Sequence, residues 1–216
     1  MNLAEFCGKI PGLEELKSRL QKLALMDALI LPDWERRYFS FDMNWGSGES
    51  LATIRNGSGA EAHVLLRSSA ALVLVSDHDL PSLGSSGFLP DLERRIPAEL
   101  VEYLHEPAFC YGGTFAAASC SWRTSGDSGW HFATANCDHG LLPFNALGLI
   151  AGGVDVNGYV DHVVEVYEVE PSAAFLRTVD HVLHGSPEMA RAIIDGRYGE
   201  RLADISQDIV EIGIRL

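Results

Sequence analysis

The 216-residue sequence lacks the short motifs that would assign it to a common enzyme class. It contains no G-x-S-x-G nucleophile motif and no G-x-x-x-x-G-K-S/T phosphate loop. The pair His105-Glu106 runs into Pro107, which prevents continuation as an H-E-x-x-H zinc helix. These absences favour a protein that is not an enzyme and that needs no cofactor.

Long apolar runs and paired cysteines are also missing. The most apolar stretch, residues 140–156, is interrupted by a proline and by adjacent glycines, so we expect no membrane span. The first residues include Glu5 and show no basic flank before an apolar segment, which argues against a secretory signal. The four cysteines, at positions 7, 110, 120 and 137, form no C-x-x-C pair. This usage predicts a reduced, cytoplasmic protein.

Positive charge is scarce. The chain has 16 Lys and Arg residues against 30 Asp and Glu residues, a formal net charge of -14. Residues 151–216 hold 12 of the acidic and 5 of the basic residues, so half of the excess lies there. A surface of this sign repels phosphate backbones and excludes nucleic acid as the expected partner. It suits a basic protein partner, although acidity is also common among soluble cytosolic proteins.

Residues 37–76 carry the clearest structural pattern. Three turn signals, at residues 46–48, 56–59 and 68–69, separate four runs rich in aromatic or branched side chains, which predicts a four-stranded antiparallel meander. The first run alternates an apolar set with a polar set, so we expect one buried face and one face open to solvent or a partner. The apolar set is Phe39, Phe41, Met43 and Trp45. Residues 70–75 are apolar on both faces, which is typical of a central strand.

Helical patterns flank the meander. Apolar residues recur every three or four positions from Pro11 to Leu31, which predicts an N-terminal helix. Alternation over residues 115–124 and 130–135 predicts a hairpin, and from residue 152 the period is helical, with Asp155 as an N-cap. We therefore predict an α+β fold: an antiparallel sheet of about six strands (the four-stranded meander plus the hairpin) with an N-terminal helix and a helical C-terminal layer. We expect a single domain, 1–216, with a helical subdomain over 152–216 as the alternative.

Two groups of polar residues could carry chemistry. His131, Cys137 and His139 offer nitrogen and thiolate ligands suited to zinc, although no fourth ligand is evident. With Asp79 or Asp138 as the base, they would form a zinc-dependent hydrolase, which is our alternative to a binding protein. The sequence Asp77-His78-Asp79 ends the fourth run and is predicted to form a polar turn. Its three side chains are not expected to converge, because successive side chains of an extended chain point to opposite sides.

Several segments together resemble a family of uncharacterised bacterial proteins. They are F-D-x-x-W at 41–45, the Asn-Gly-Ser-Gly hairpin turn at 56–59, E-P-A-F at 106–109, S-W-R-T-S-G-D at 121–127 and D-I-V-E-I-G-I at 208–214. The resemblance extends over most of the chain and implies a bacterial cytosolic protein of unassigned activity. It further implies, by analogy, an immunity partner of a secreted toxin. Its motifs are turns, aromatic residues and caps, so it assigns no catalytic residue.

We expect the protein to be a non-enzymatic protein-binding module, of the immunity type by that resemblance. The contact residues that we predict are polar positions on the meander and acidic positions on the last helix: Asp42, Asn44, Arg55, Asn56, Asp204, Asp208 and Glu211. A third interpretation treats the C-terminal helices as an oligomerisation layer. The sequence leaves the oligomeric state and the identity of the partner open.

Overall fold

The structure is a computed structural model that describes residues 1–31, 33–135, 146–153, 155–168, 173–184 and 206–214. Two helices, α1 (Leu3–Lys9) and α2 (Leu13–Ile30), and a 3-10 turn (Trp34–Arg36) precede the sheet. The sheet begins with β1 (Phe39–Gly46), β2 (Glu49–Arg55), β3 (Ala60–Leu66) and β4 (Ala70–Asp77). Then come α3 (Leu89–Arg95), 3-10 helices at Ala98–Leu104 and Pro107–Phe109, and a small hairpin of β5 (Cys110–Tyr111) and β6 (Thr114–Phe115). The last strands are β7 (Ser119–Thr124) and β8 (His131–Thr134), and the helices described after them are α4 (Leu147–Gly152), α5 (Val156–Tyr167), α6 (Ala173–His184) and α7 (Ser206–Ile212).

The main sheet has six strands in the order β1-β2-β3-β4-β7-β8, and every neighbouring pair is antiparallel. This confirms the predicted α+β class, the meander and the added hairpin. Strand β4 is central, as its apolar character on both faces predicts, and β1 is an edge strand. The β2–β3 turn forms because Gly57 and Gly59 adopt positive φ angles and the Asn56 side chain accepts hydrogen bonds from the backbone amides of Ser58 and Ala60.

Both faces of the central strands are covered. On the edge strand β1 the polar set stays partly open, as its alternation predicts, because Ser40 and Asp42 are half-buried and Asn44 is exposed. One cluster joins Val64 and Val73 to α1, α2 and the C-terminal helices. On the opposite face, Leu72 and Leu74 pack with residues of α3, the Ala98–Leu104 helix and β7. The alternation in β1 could not reveal this second layer, because the side chains that cover it come from residues 83–122.

Strand β1 also departs from simple alternation. Its pairing with β2 runs in register as far as Asp42, opposite Leu51, and resumes at Gly46, opposite Glu49. Four steps along β1 thus correspond to two along β2, which makes this end of the edge strand a bulge. Phe39 and Phe41 face the helical cluster, whereas Trp45 packs on the opposite face, stacked against Phe109 at 5.7 Å. The prediction that Trp45 shares a face with Phe39 is therefore wrong.

The described C-terminal helices pack on the sheet. Tyr159 of α5, Val179 of α6 and Ile212 of α7 belong to the same buried cluster as Phe39 and Phe41. The predicted N-cap of α5 is confirmed, because the Asp155 side chain accepts a hydrogen bond of 2.6 Å from the Gly158 amide. Within the segment predicted to be helical from residue 152, residues 185–205 lie outside the described residues. None of the described helices combines the length and apolar character that crossing a bilayer requires.

Candidate binding site

A pocket of about 530 Å³ opens between the edge strand β1 and helix α7. Strands β1 and β2 form one wall, α7 forms the opposite wall, and the 3-10 turn before β1 contributes the Trp34 ring. The described residues that line it are Ala24, Trp34, Arg37, Ser40, Phe41, Asp42, Leu51, Thr53, Gln207, Asp208, Glu211 and Ile212. Its volume lies within the usual range of roughly 300–1,000 Å³ for ligand sites.

Arg37 forms the fixed polar part of this pocket. Its guanidinium donates two parallel hydrogen bonds to the Asp208 carboxylate, of 2.8 and 3.0 Å, and its Nε donates one of 2.6 Å to the Leu31 carbonyl. The Arg37 side chain is only 3% exposed, and that of Asp208 is 22% exposed. This bidentate pairing joins α7 to the segment that leads into β1, and it neutralises one of the pocket's carboxylates.

Two further carboxylates give the pocket its negative character. Asp42 is half-buried on β1, and Glu211 is exposed one helical turn beyond Asp208. Partial burial raises the pKa of Glu211, and the charges of Asp42 and Asp208 raise it further, while Arg37 opposes the rise. Among the described lining residues, three carboxylates therefore face a single cationic side chain.

Apolar side chains are exposed close to these carboxylates. Trp34 is 56% exposed, and the Arg55 guanidinium lies 5.1 Å from the centre of its ring. Val210 of α7 is 70% exposed and follows Gln207 by three positions, so the two lie on the same side of the helix. Met43 is partly exposed in the β1 bulge and packs against Gly213, where a Cβ atom would collide with the Met43 sulfur.

Carboxylates and one guanidinium are the charged groups among the described lining residues of the pocket. Its described lining contains no histidine, cysteine or lysine. The Ser40 hydroxyl donates to the Thr53 carbonyl at 3.5 Å.

The structure brings together three of the predicted contact residues: Asp42, Asp208 and Glu211. Asn44, Arg55 and Asn56 are not among the described lining residues. The backbone amide of Asn44 donates to Asp42 within the bulge, Arg55 packs over Trp34, and the Asn56 side chain holds the β2–β3 turn. Asp204 lies outside the described residues.

Sequence reasoning missed Arg37, Trp34 and Gln207 as members of the site. Arg37 and Trp34 lie in the short link between α2 and β1, which carries no periodic pattern. These two residues nevertheless gave a usable signal. Arg37 offers several N–H donors and Trp34 an aromatic face, and both lie just before a strand that carries Asp42 and Asn44.

The predicted zinc cluster stays a prediction, because Cys137 and His139 lie outside the described residues, as does Asp138. His131 is in the described part of β8 and is exposed. Its Nε2 is 3.4 Å from an Asp127 carboxylate oxygen, and its ring stacks on Trp122 with a centroid separation of 5.8 Å. These contacts account for the position of the imidazole.

Asp77, His78 and Asp79 converge, contrary to the prediction. One ligand atom from each lies within 4.8 Å of the others, and this is the one such group among the described residues. The chain turns at the end of β4, where the Asp77 carboxylate accepts a hydrogen bond of 2.9 Å from the Asp79 amide. His78 Nε2 then lies 3.3 Å from an Asp79 carboxylate oxygen, so contacts between neighbouring side chains of one turn account for the cluster.

A second polar constellation is buried between α2, β1 and α5. The Asp27 carboxylate accepts hydrogen bonds from the hydroxyls of Tyr159 (2.7 Å) and Tyr167 (2.6 Å) and from the Phe39 amide (2.8 Å). Burial nevertheless raises the pKa of Asp27 to about 6. His162 lies among the surrounding aromatic rings, and burial lowers its pKa to about 4. This network positions α5 on the sheet, and a helical periodicity that places Asp27 on a core face is the only sequence signal for it.

Comparisons of the chain with protein-family models, with curated proteins and with solved structures found no match. The functional argument therefore depends on the residues and geometry of the molecule itself.

Proposed function

We propose that this protein is a non-enzymatic protein-binding module that holds a basic segment of a partner protein at the pocket between β1 and α7. The observation that carries the proposal is the excess of carboxylates there: Asp42, Asp208 and Glu211 face Arg37 alone among the described lining residues. Arg37 neutralises Asp208, whereas Asp42 is half-buried, Glu211 is exposed, and neither forms an ion pair with a described residue. Two unpaired carboxylates in one pocket favour a ligand that brings positive charge.

The surroundings of the pocket favour a protein over a small free cation. Trp34, Met43 and Val210 are exposed large apolar side chains on the elements that form the pocket or the bulge beside it. Aromatic residues and methionine are enriched in protein interfaces, where they are desolvated around polar contacts. A small cation would use the carboxylates and leave these apolar side chains uncovered.

The net charge of -14 supports the same partner chemistry at longer range, because it accelerates the encounter with a basic protein. Neutralising a basic toxin, the role implied by the bacterial resemblance, is one activity that such a module would perform. Cys7 and Cys120 are buried free thiols, which supports a reduced compartment and hence a cytoplasmic location.

A photo-crosslinking amino acid at position 207 would test the proposal. Gln207 lines the pocket and its side chain is exposed, so the probe would touch whatever occupies the site. The matched control is the same probe at Asp161, which is exposed on α5. We expect basic proteins to be crosslinked at position 207 and not at 161, and the crosslink to disappear in the double variant Asp42→Asn/Glu211→Gln. Equal crosslinking at both positions, or crosslinking that survives the double variant, would refute the proposal.

A further inference from the structure

The arrangement of the pocket carboxylates restricts the shape of the cation that they can bind. A metal ion is coordinated at roughly 2.0–2.6 Å, so its ligand atoms must lie close to one another. Asp77, His78 and Asp79 are the described group whose ligand atoms come within 4.8 Å. Asp42, Asp208 and Glu211 therefore surround the pocket without converging on one point, which suits a cation whose donors are spread over several edges.

The hydrogen bonds already made inside the pocket determine which carboxylates are open to a ligand. Both Asp208 oxygens accept from Arg37. Asp42 accepts from the Asn44 amide through Oδ1, at 2.7 Å, and no described donor reaches its other oxygen. No described residue donates a hydrogen bond to the Glu211 carboxylate. Acceptors on β1 and on α7 are thus left for one ligand lying between the two walls.

The aromatic ring at the pocket edge adds a preference among organic cations. Planar guanidinium groups stack on tryptophan and present five N–H donors in a fixed fork, whereas an ammonium is a compact and strongly hydrated charge. Both guanidinium interactions already occur beside the pocket. Arg55 stacks on the Trp34 ring, and Arg37 forms two parallel hydrogen bonds with Asp208.

Building on the proposed function, we infer that the partner inserts an arginine side chain into this pocket. The guanidinium donates to the Asp42 and Glu211 carboxylates on opposite walls and lies beside the Trp34 ring. The Arg37–Asp208 pair joins the two walls. Asp42 and Glu211 are thus specificity residues for arginine over lysine.

The test uses amide chemical shifts of the full chain during titration with two capped tripeptides of equal charge, acetyl-Gly-Arg-Gly-amide and acetyl-Gly-Lys-Gly-amide. We expect the arginine peptide to shift amides of residues 40–43, 51–53 and 207–212, with an affinity at least about threefold above that of the lysine peptide. The shifts should vanish in Asp42→Asn/Glu211→Gln. They should persist in the matched control Asp161→Asn/Glu165→Gln, which removes one Asp and one Glu charge from the exposed side of α5.

Several results would overturn the inference. These are equal or tighter binding of the lysine peptide, shifts confined to other residues, or a response to Ca²⁺ or Mg²⁺ at these amides that exceeds the response to the arginine peptide. Failure here is distinguishable from failure of the proposed function. If the arginine preference fails but a crosslink at position 207 still depends on Asp42 and Glu211, the partner is basic and binds the pocket through lysine.

Discussion

Arg37 and Asp208 are 171 positions apart in the chain and are joined by two parallel hydrogen bonds of 2.8 and 3.0 Å. The pair connects the segment entering β1 with helix α7, and Asp42 lies on β1 while Glu211 lies on α7. The spacing of the two carboxylates that remain open to a ligand therefore depends on an ion pair that itself binds no ligand.

Replacing Arg37 by methionine should lower the free energy of unfolding by about 3 kcal/mol. This is the lower end of the cost of breaking a buried pair, because Asp208 retains some access to water. The double variant Arg37→Met/Asp208→Leu should be more stable than Arg37→Met, since no isolated carboxylate remains. Urea titrations of both variants measure this. Equal stability of the two would mean that the Asp208 charge does not depend on Arg37.

Asp27 should make the protein less stable as the pH rises from about 4 to about 6. Its pKa is raised to about 6 in the folded chain, against about 3.9 when unfolded, so the native state holds the proton over this window and the unfolded chain does not. The stabilising contribution is complete below pH 4 and is lost as the pH rises through 6. Urea titrations across this range should show that the native sequence loses stability on the order of 2–3 kcal/mol. The variant Asp27→Asn should show no such loss. Identical pH slopes for the variant and the native sequence would contradict the assignment.

His162 should act in the opposite direction. Burial lowers its pKa to about 4 from about 6.5, so its stabilising contribution is complete above pH 6.5 and is lost as the pH falls through 4. Its Nε2 is buried and has no hydrogen-bond partner among the described residues, so His162→Phe should cost less than about 1.5 kcal/mol at pH 7. Relative to the native sequence, the variant should gain stability between pH 7 and pH 5. A stability difference that is the same at both pH values would show that the imidazole does not titrate as described.

Glu211→Gln should raise stability slightly at pH 7 while weakening partner binding. The pKa of Glu211 is raised in the folded chain, so its ionised form is disfavoured there and its removal relieves the repulsion from Asp42 and Asp208. Sites that bind ligands often carry such a cost in stability. Thermal unfolding and partner affinity are the two measurements, with Glu165→Gln on α5 as the control. A stability loss in Glu211→Gln would indicate a structural role instead.

The sheet was predictable because its signals are local. The turns at 46–48, 56–59 and 68–69 and the double-sided apolar run of β4 depend on residues that are neighbours in sequence. The position of Trp45 was not predictable, because the bulge depends on pairing with β2 and on the aromatic residues Tyr103 and Phe109 across the sheet. The coverage of both faces likewise depends on elements far along the chain.

The candidate site was predictable only in its acidic part. Asp42 stands out on a strand and Asp208 and Glu211 on a helix, but their common pocket forms only when α7 packs beside β1. Arg55 and Asn56 looked equally available, yet the Trp34 ring and the β2–β3 turn engage their side chains. Asn44 is exposed in the bulge and is not among the described lining residues. Polarity at an exposed strand position does not separate residues that hold the fold from residues left for a ligand.

The central claim is that the pocket carboxylates bind a basic partner, and the most direct measurement is the dissociation constant of the partner crosslinked at position 207. It should be determined by calorimetry for the native sequence, for Asp42→Asn/Glu211→Gln and for Asp161→Asn/Glu165→Gln, which carry the same net charge change. The account predicts at least about tenfold weaker binding for the pocket variant and a change below about twofold for the α5 variant. Equal weakening in the two variants would attribute binding to net charge alone and would contradict the account.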